Sequence, residues 1–387
     1  MPANFLLLPE SWQDSADYQN LLNGILPKED LFYKFALEGE IEKALAELID
    51  GSFGTKFNRF ILNSSPELYL QLKQELTDEY AKLLDVAAFT LNYISEPPTT
   101  ENLEGEMLAF VLMANATHKI EQGEIETAIS LLKEASETAK PISTMLYGQI
   151  LTSLAETQHQ FFGANANVVQ TYKNAIEVLK KSELELTKAS LQMNLGICYQ
   201  EISTGNRGAL LEAVKCYQEA LKFFTRENFP EEFAFAQNNL ALAYLSMPMT
   251  EASDQLRVAI AIQALREALK VYKKETHSEL WASTQLNLAN ALQYAPTSHP
   301  EENLQEAVNL YEEILSVRQP TQNPVGYARL LANQGNALAH LGIFNHAIPK
   351  LNEAMNIFNQ IEDTGSADSI KEILDEIEAN QTAAATN

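Results

Sequence analysis

Four asparagines, Asn194, Asn239, Asn287 and Asn333, each open a short phrase, Leu or Gln followed by Gly or Ala, and they follow one another at steps of 45, 48 and 46 residues. A carboxamide both donates and accepts, so a regular row of them can pair with the main chain of an extended peptide whatever its side chains are. The residue types that usually carry catalysis are less ordered. Gly51-Ser52-Phe53-Gly54-Thr55-Lys56 has glycines and a lysine but neither the spacing nor the preceding apolar strand of a phosphate-binding loop, and is expected to be a surface turn. The six histidines, His118, His159, His277, His299, His340 and His346, show no HExxH or Cys/His ligand spacing, so no metal and no cofactor is expected. Cys198 and Cys216 are too few for a disulfide scaffold and are expected to be buried packing thiols. Carboxylates abound, as at Glu231-Glu232 and Glu301-Glu302, and no pair stands out as acid and base, so no catalytic residue is expected.

The charge balance narrows the partners. The 387 residues carry 27 Lys and Arg against 52 Asp and Glu, a net charge of −25. Phosphate backbones and anionic membrane surfaces are held by clustered cations, so nucleic acid and membrane are disfavoured. No apolar run approaches the ~18 residues of a membrane span. No basic residue precedes Lys28 to begin a targeting peptide, and a cytoplasmic protein is expected. A composition 46% hydrophobic and 20% charged suits a folded chain with a sizeable core.

Elements that could position the asparagines are written as repeats. Glycine and proline are scarce, and apolar residues recur three and four apart over most of the length, which predicts a nearly all-helical chain. After each asparagine phrase comes a second one: Ala213-Val214 with Tyr217 and Ala220, Ala261-Ile262 with Leu265 and Ala268, Ala307-Val308 with Tyr311 and Ile314, Ala347-Ile348 with Leu351 and Ala354. Small residues on one stripe let the next helix approach, and the bulky one between them fills the remaining gap. From Ala175, Ala220, Ala268 and Ile314 to the next asparagine the step is always 19 residues, whereas the turn inside each repeat varies. A packed junction with a free hairpin tip is what stacking demands.

These phrases resemble the tetratricopeptide (TPR) repeat, a helix A, turn, helix B unit. Asn333 to Ala347 matches the standard 14-residue offset, with Gly342 opening helix B five residues before Ala347; Gly123 with Ala128 and Gly39 with Ala44 repeat that offset. The remaining repeats are similar to extended TPRs of bacterial multi-repeat proteins, in which phrases such as Phe229-Pro230-Glu231-Glu232-Phe233-Ala234 and turns such as Pro300-Glu301-Glu302-Asn303-Leu304 recur. Departures are Gln192, Gln237 and Gln285 where many TPRs carry a Trp, and Ile314 where a small residue is usual. The resemblance implies an all-α, TPR-like α-solenoid, a right-handed superhelix of helix-turn-helix repeats. Residues 1–98 are expected to form an irregular helical N-terminal region, with one long amphipathic stretch from Pro66 to Tyr93 and a boundary at Pro97-Pro98. The repeat array should span 101–360, a capping helix 361–380 with Ile370, Ile373, Leu374 and Ile377 on one face, and a disordered tail 381–387.

In TPR proteins the inner stripe of helix A lines the concave groove. On that stripe the resemblance places Asn194, Asn238, Asn239, Asn287, Asn290, Asn333 and Asn336, with Arg329 beside them. They are the candidate partner-binding residues, the competing role being a ladder of amides bonded between neighbouring helices. Lysines that would clamp an acidic chaperone C-terminus are missing, since Met193, Asn238, Leu286 and Ala332 stand in their places. The expected function is a non-enzymatic interaction adaptor or scaffold for a protein or peptide segment, such as an assembly or maturation factor. The alternative is a peptide-sensing regulator whose superhelix changes shape on binding.

Overall fold

The computed structural model describes residues 6–8, 15–26, 30–76, 78–248, 254–295 and 300–386. Among these residues every regular element is an α-helix, and the chain divides into two compact units, residues 1–202 and 203–387.

The first unit begins with α1 (Ala16–Leu22), the hairpin of α2 (Leu31–Glu38) and α3 (Ile41–Glu47), and α4 (Phe53–Leu62). Ser52 caps α4, its hydroxyl accepting from the Thr55 N–H at 3.2 Å, and Lys56 pairs with Glu75 at 3.0 Å. The glycine-and-lysine phrase is thus a helix start whose charge is already engaged, rather than a loop. The stretch from Pro66 to Tyr93 is two helices, α5 (Pro66–Glu75) and α6 (Asp78–Thr90), not one. Leu76 between them is extended (φ −96°, ψ 139°), and the capping-type residues Thr77 and Asp78 follow it in sequence. Then come α7 (Gly105–Glu121), α8 (Ile125–Ala139), α9 (Thr144–Phe162), α10 (Ala166–Leu179) and α11 (Glu185–Glu201). The Pro97-Pro98 loop separates α6 from α7 without separating their cores: Val86 and Phe89 pack in one cluster with Leu103, Val111 and Ala114.

Residues 15–26 lie across the turns that precede α9 and α11. The Ser143 hydroxyl donates to the Leu22 carbonyl (3.1 Å) and the Thr144 hydroxyl to Asn23 Oδ1 (3.0 Å). The Glu183 N–H donates to the Gly24 carbonyl (2.8 Å), and the Leu26 N–H to the Glu183 carboxylate (2.9 Å).

The second unit runs α12 (Arg207–Ala220), α13 (Pro230–Leu245), α14 (Asp254–Ala268), α15 (Ser278–Gln293), α16 (Pro300–Leu315), α17 (Pro324–His340), α18 (Phe344–Gln360) and α19 (Thr364–Thr386). Successive helices pack as antiparallel pairs, α13 on α14, α15 on α16 and α17 on α18. The Pro300 phrase is the first turn of α16 rather than a turn between helices, because proline is preset for that position and Glu301 and Glu302 complement the helix dipole. α19 buries Ala367, Ile370 and Ile377 on the preceding repeat, as a cap should. It continues through Thr386 where a tail is expected from 381; the Ala-rich composition there favours helix.

Both repeated phrases sit where stacking needs them. Ala213, Tyr217, Ala220, Ala261, Leu265, Ala268, Ala307, Tyr311, Ala347, Leu351 and Ala354 are all fully buried, as is the departing Ile314. Gly335 marks the closest approach of α17 to α18: a Cβ added there would lie 2.7 Å from Leu351 Cγ. The short hairpin turn has one geometry used three times. After α17, Gly342 adopts φ +72°, the Ile343 N–H returns to the Leu338 carbonyl at 3.0 Å and Gly342 N–H to Ala339 at 2.9 Å. Glu124 to Lys119 and Glu40 to Phe35 close the turns at Gly123 and Gly39 in the same way, each at 2.8 Å.

Candidate functional site

Asn287 and Asn290 are one helical turn apart on α15, and Asn333 and Asn336 likewise on α17, so each pair shares a face. The face opposite is apolar and drives the helix into the core through Leu288, Ala289, Leu292, Leu331, Gly335 and Leu338. The amides are left half-buried on the other side.

The structure joins most of them from helix to helix. Asn287 Nδ2 donates to Asn238 Oδ1 on α13 at 3.3 Å, and Asn333 Nδ2 to Asn290 Oδ1 on α15 at 3.0 Å. Tyr311 of α16 lies beneath: its hydroxyl is 2.7 Å from Asn290 Oδ1 and 2.9 Å from the Gln293 amide. Burial raises the Tyr311 pKa well above its usual value, so the hydroxyl keeps its single proton and gives it to Asn290. The Gln293 contact is then satisfied with its amide turned so that the NH2 donates, which also pairs a buried Nε2 that otherwise lacks a partner. Among the described residues Asn239 bonds within its own helix, to the Phe235 carbonyl (2.9 Å). Among the described residues Asn336 has no hydrogen-bond partner, and Arg329 is exposed. In the first unit Asn194 reaches Glu156 of α9 at 3.2 Å.

Two polar residues on these helices carry more of the packing than their types suggest. Gln285 and Gln334 are 3% and 1% exposed. Gln285 Nε2 donates to Glu313 (2.7 Å) and Gln334 Nε2 to Glu312 (2.7 Å), so both clamp α16. The absent Trp was the sequence signal for Gln285, and for Gln334 it was the departure from Leu195, Leu240 and Leu288 of the other asparagine phrases. The Gln334 amide, with Lys350 beside it, holds the Glu312 carboxyl below the usual glutamate range. A depressed folded value means that this stabilisation is full above the unfolded glutamate pKa and drains away as pH falls through the folded one. Glu312→Gln keeps an acceptor for Gln334 without a titrating group. Thermal melts between about pH 3 and pH 6 should therefore show a flatter acid limb for the variant than for the wild type; superimposable curves would rule the coupling out.

A cavity of about 230 Å³ opens at the Asn290 end of the row, between the ends of α13 and α15 and the start of α14. Tyr244, Met247, Val258, Ala291 and Tyr294 form its walls, with Asn290 and Arg257 as its polar groups. The Arg257 guanidinium donates to the Tyr244 and Pro248 carbonyls at 3.4 and 3.0 Å. No periodicity in the sequence marks this place.

Among the described residues a thiol meets a histidine once, in the first unit. Cys198 Sγ is 3.4 Å from His159 Nδ1, and His159 Nε2 is 3.0 Å from Glu201. Catalysis by a thiol needs access to its sulfur, and Cys198 is 0% exposed, so the geometry is that of a packed thiol covered by a histidine. His118 and His277 pair with Glu96 and Glu231, His340 and His346 are exposed, and His299 lies outside the described residues. Among the described residues no group of three His, Cys, Asp or Glu is placed to hold a metal, and no helix is long and apolar enough to cross a membrane.

No family model matches the sequence, and no curated protein matches it significantly. Solved structures do. The chain is similar to the Signal Transduction ATPase with Numerous Domains protein with a tetratricopeptide repeat sensor from Pyrococcus horikoshii, with a TM-score of 0.60 and 13% identity over 89% of this chain and 53% of that one. It thus spans about half the length of that ATPase. It is also similar to the apo form of RapI, with a TM-score of 0.51 and 12% identity over 92% of this chain and 97% of that one. At such identities the likeness speaks for the fold, and it agrees with the buried Ala and Tyr phrases, the glycine-closed turns and the paired helices: this chain has the all-α solenoid fold of tetratricopeptide-repeat proteins.

Proposed function

We propose that the chain is a non-catalytic interaction scaffold that holds an extended segment of a partner protein along the asparagine faces of α13, α15 and α17. The observation that carries this reading is the row itself. Asn238, Asn287, Asn290 and Asn333 are tied helix to helix, yet each amide keeps donor or acceptor capacity beyond these bonds, and among the described residues Asn336 and Arg329 make no hydrogen bond. Amides already held in place lose little freedom on binding, so they suit recognition of a main chain. A net charge of −25 favours a partner that is neutral or basic around the bound segment, and suits a soluble assembly or maturation factor in the cytoplasm.

The test uses the two residues of the row that make no hydrogen bond among the described residues. Partners captured from the native source on the wild-type chain and identified by mass spectrometry should be lost or weakened by Asn336→Ala with Arg329→Ala. The loss expected is about tenfold or more, since each hydrogen bond is worth roughly 0.5–1.5 kcal/mol and a charged one more. Full capture by a variant that melts like the wild type would move the binding face elsewhere. The cavity beside Asn290 favours a second reading, a regulator that senses a short peptide by seating one apolar side chain there. Short peptides that bind alone would support the regulator; a requirement for a folded partner would support the scaffold.

A further inference from the structure

Residues Leu6 to Leu8 are seated in the N-terminal part of the first unit in a way that repeat packing does not require. Asn58 projects from α4 into the interior and is 4% exposed, an unusual place for an amide on an otherwise apolar face formed by Phe57, Phe60 and Ile61. Both ends of that amide are spent on one residue. The Leu7 N–H donates to Asn58 Oδ1 at 2.7 Å, and Asn58 Nδ2 donates to the Leu7 carbonyl at 2.9 Å. Tyr33 of α2, also 4% exposed, donates its hydroxyl to the same carbonyl at 2.5 Å. The flanking side chains are received on two sides: Leu6 and Leu7 pack on the cluster around Phe57, Phe60 and Leu72, while Leu6 and Leu8 pack on that of Phe32, Tyr33 and Leu48.

We propose that the seam between α2 and α4 is a binding slot for an extended apolar peptide segment of a partner protein, read through one residue's main chain by Asn58 and Tyr33, and that Leu6–Leu8 fill it in cis. The backbone bonds are joined by apolar packing of all three side chains, so the slot asks for an apolar residue at each position. Emptying the slot would take from the buried Asn58 amide both of its bonds to Leu7, which is costly unless another backbone replaces them. Release of the arm and entry of a partner segment are therefore coupled as an exchange. The chain's own segment has the advantage of tethering, equivalent to a high local concentration. This slot is independent of the asparagine row, and either can fail without the other.

The exchange can be measured with a labelled, blocked peptide of residues 3–10, acetyl-ANFLLLPE-amide. Leu7→Pro removes the N–H that Asn58 accepts and puts a ring in its place, so it should eject the arm. The peptide should bind the Leu7→Pro chain at least about tenfold more tightly than the wild type, whose slot is full. Adding Asn58→Ala to Leu7→Pro should reduce that binding about tenfold or more. A chain lacking residues 1–14 serves as a second receptor and should behave like Leu7→Pro. No binding to either open receptor, with melting intact, overturns the proposal, and so does failure of both to fold, which would make Leu6–Leu8 a part of the core. A concentration-dependent dimer of the wild type that Leu7→Pro abolishes also overturns it, in favour of arm exchange between two copies.

Discussion

Replacing Asn290 with alanine is expected to lower the melting temperature, while replacing Asn336 leaves it unchanged. Asn290 Oδ1 accepts from both the Tyr311 hydroxyl and Asn333 Nδ2, and Tyr311 is fully buried. Alanine at 290 removes the acceptor and keeps both donors, and a buried donor left short of a partner costs about 1–3 kcal/mol. For a domain of this size each kcal/mol moves the midpoint by roughly 2–4 °C. Gln293 can take over the Tyr311 proton, which places the loss toward the lower end. The pairing itself is read from a double-mutant cycle. Tyr311→Phe in the Asn290→Ala background should cost less than Tyr311→Phe alone, because the hydroxyl has already lost its partner. An Asn290→Ala chain that melts with the wild type would show that the amide is not part of the frame. Asn336, which makes no hydrogen bond among the described residues, is the internal control.

Tryptophan in place of Ala268 should be at least as damaging, and by another route. Ala268 is 0% exposed at the end of α14, in one cluster with Tyr272, Trp281 and Ala282, where the chain leaves one helical pair for the next. The indole has no room, so neighbouring side chains must leave their rotamers or the helices must part, at a cost of about 1–3 kcal/mol or more. Ala220→Trp at the equivalent place on α12 should behave alike, since that residue is also 0% exposed. Calorimetric midpoints equal to the wild type in both variants would mean that the 19-residue junction is not a packed interface.

What could be read in advance followed from periodicity. The Ala, Tyr and Leu phrases recur at fixed offsets, so their burial on helix B was legible, as were the turns at Gly342, Gly123 and Gly39 and the apolar face of α19. The asparagine row was legible as a row, but whether its amides face a ligand or one another depends on distances between helices that no spacing along the chain encodes. The structure bonds Asn287 and Asn333 to the preceding helix A, while Asn336 makes no hydrogen bond among the described residues. Contacts that occur once were not legible at all. Asn58 with Leu7 spans 51 residues and Cys198 with His159 spans 39, and neither pair repeats. The break between α5 and α6 was hidden because the apolar spacing runs on through it.

The lashing of residues 15–26 to the turns before α9 and α11 has a consequence for synthesis. Its bonds join residues 121 and 157 positions apart in the chain. On a ribosome adding about 5–20 residues per second, Leu22 and Leu26 leave the tunnel roughly 6–30 s before the residues that receive them. During that interval the bonds that hold Leu22 and Leu26 in the finished molecule cannot form. A segment of this unit made early is thus among the last to settle, and a chaperone that meets nascent chains would find it waiting.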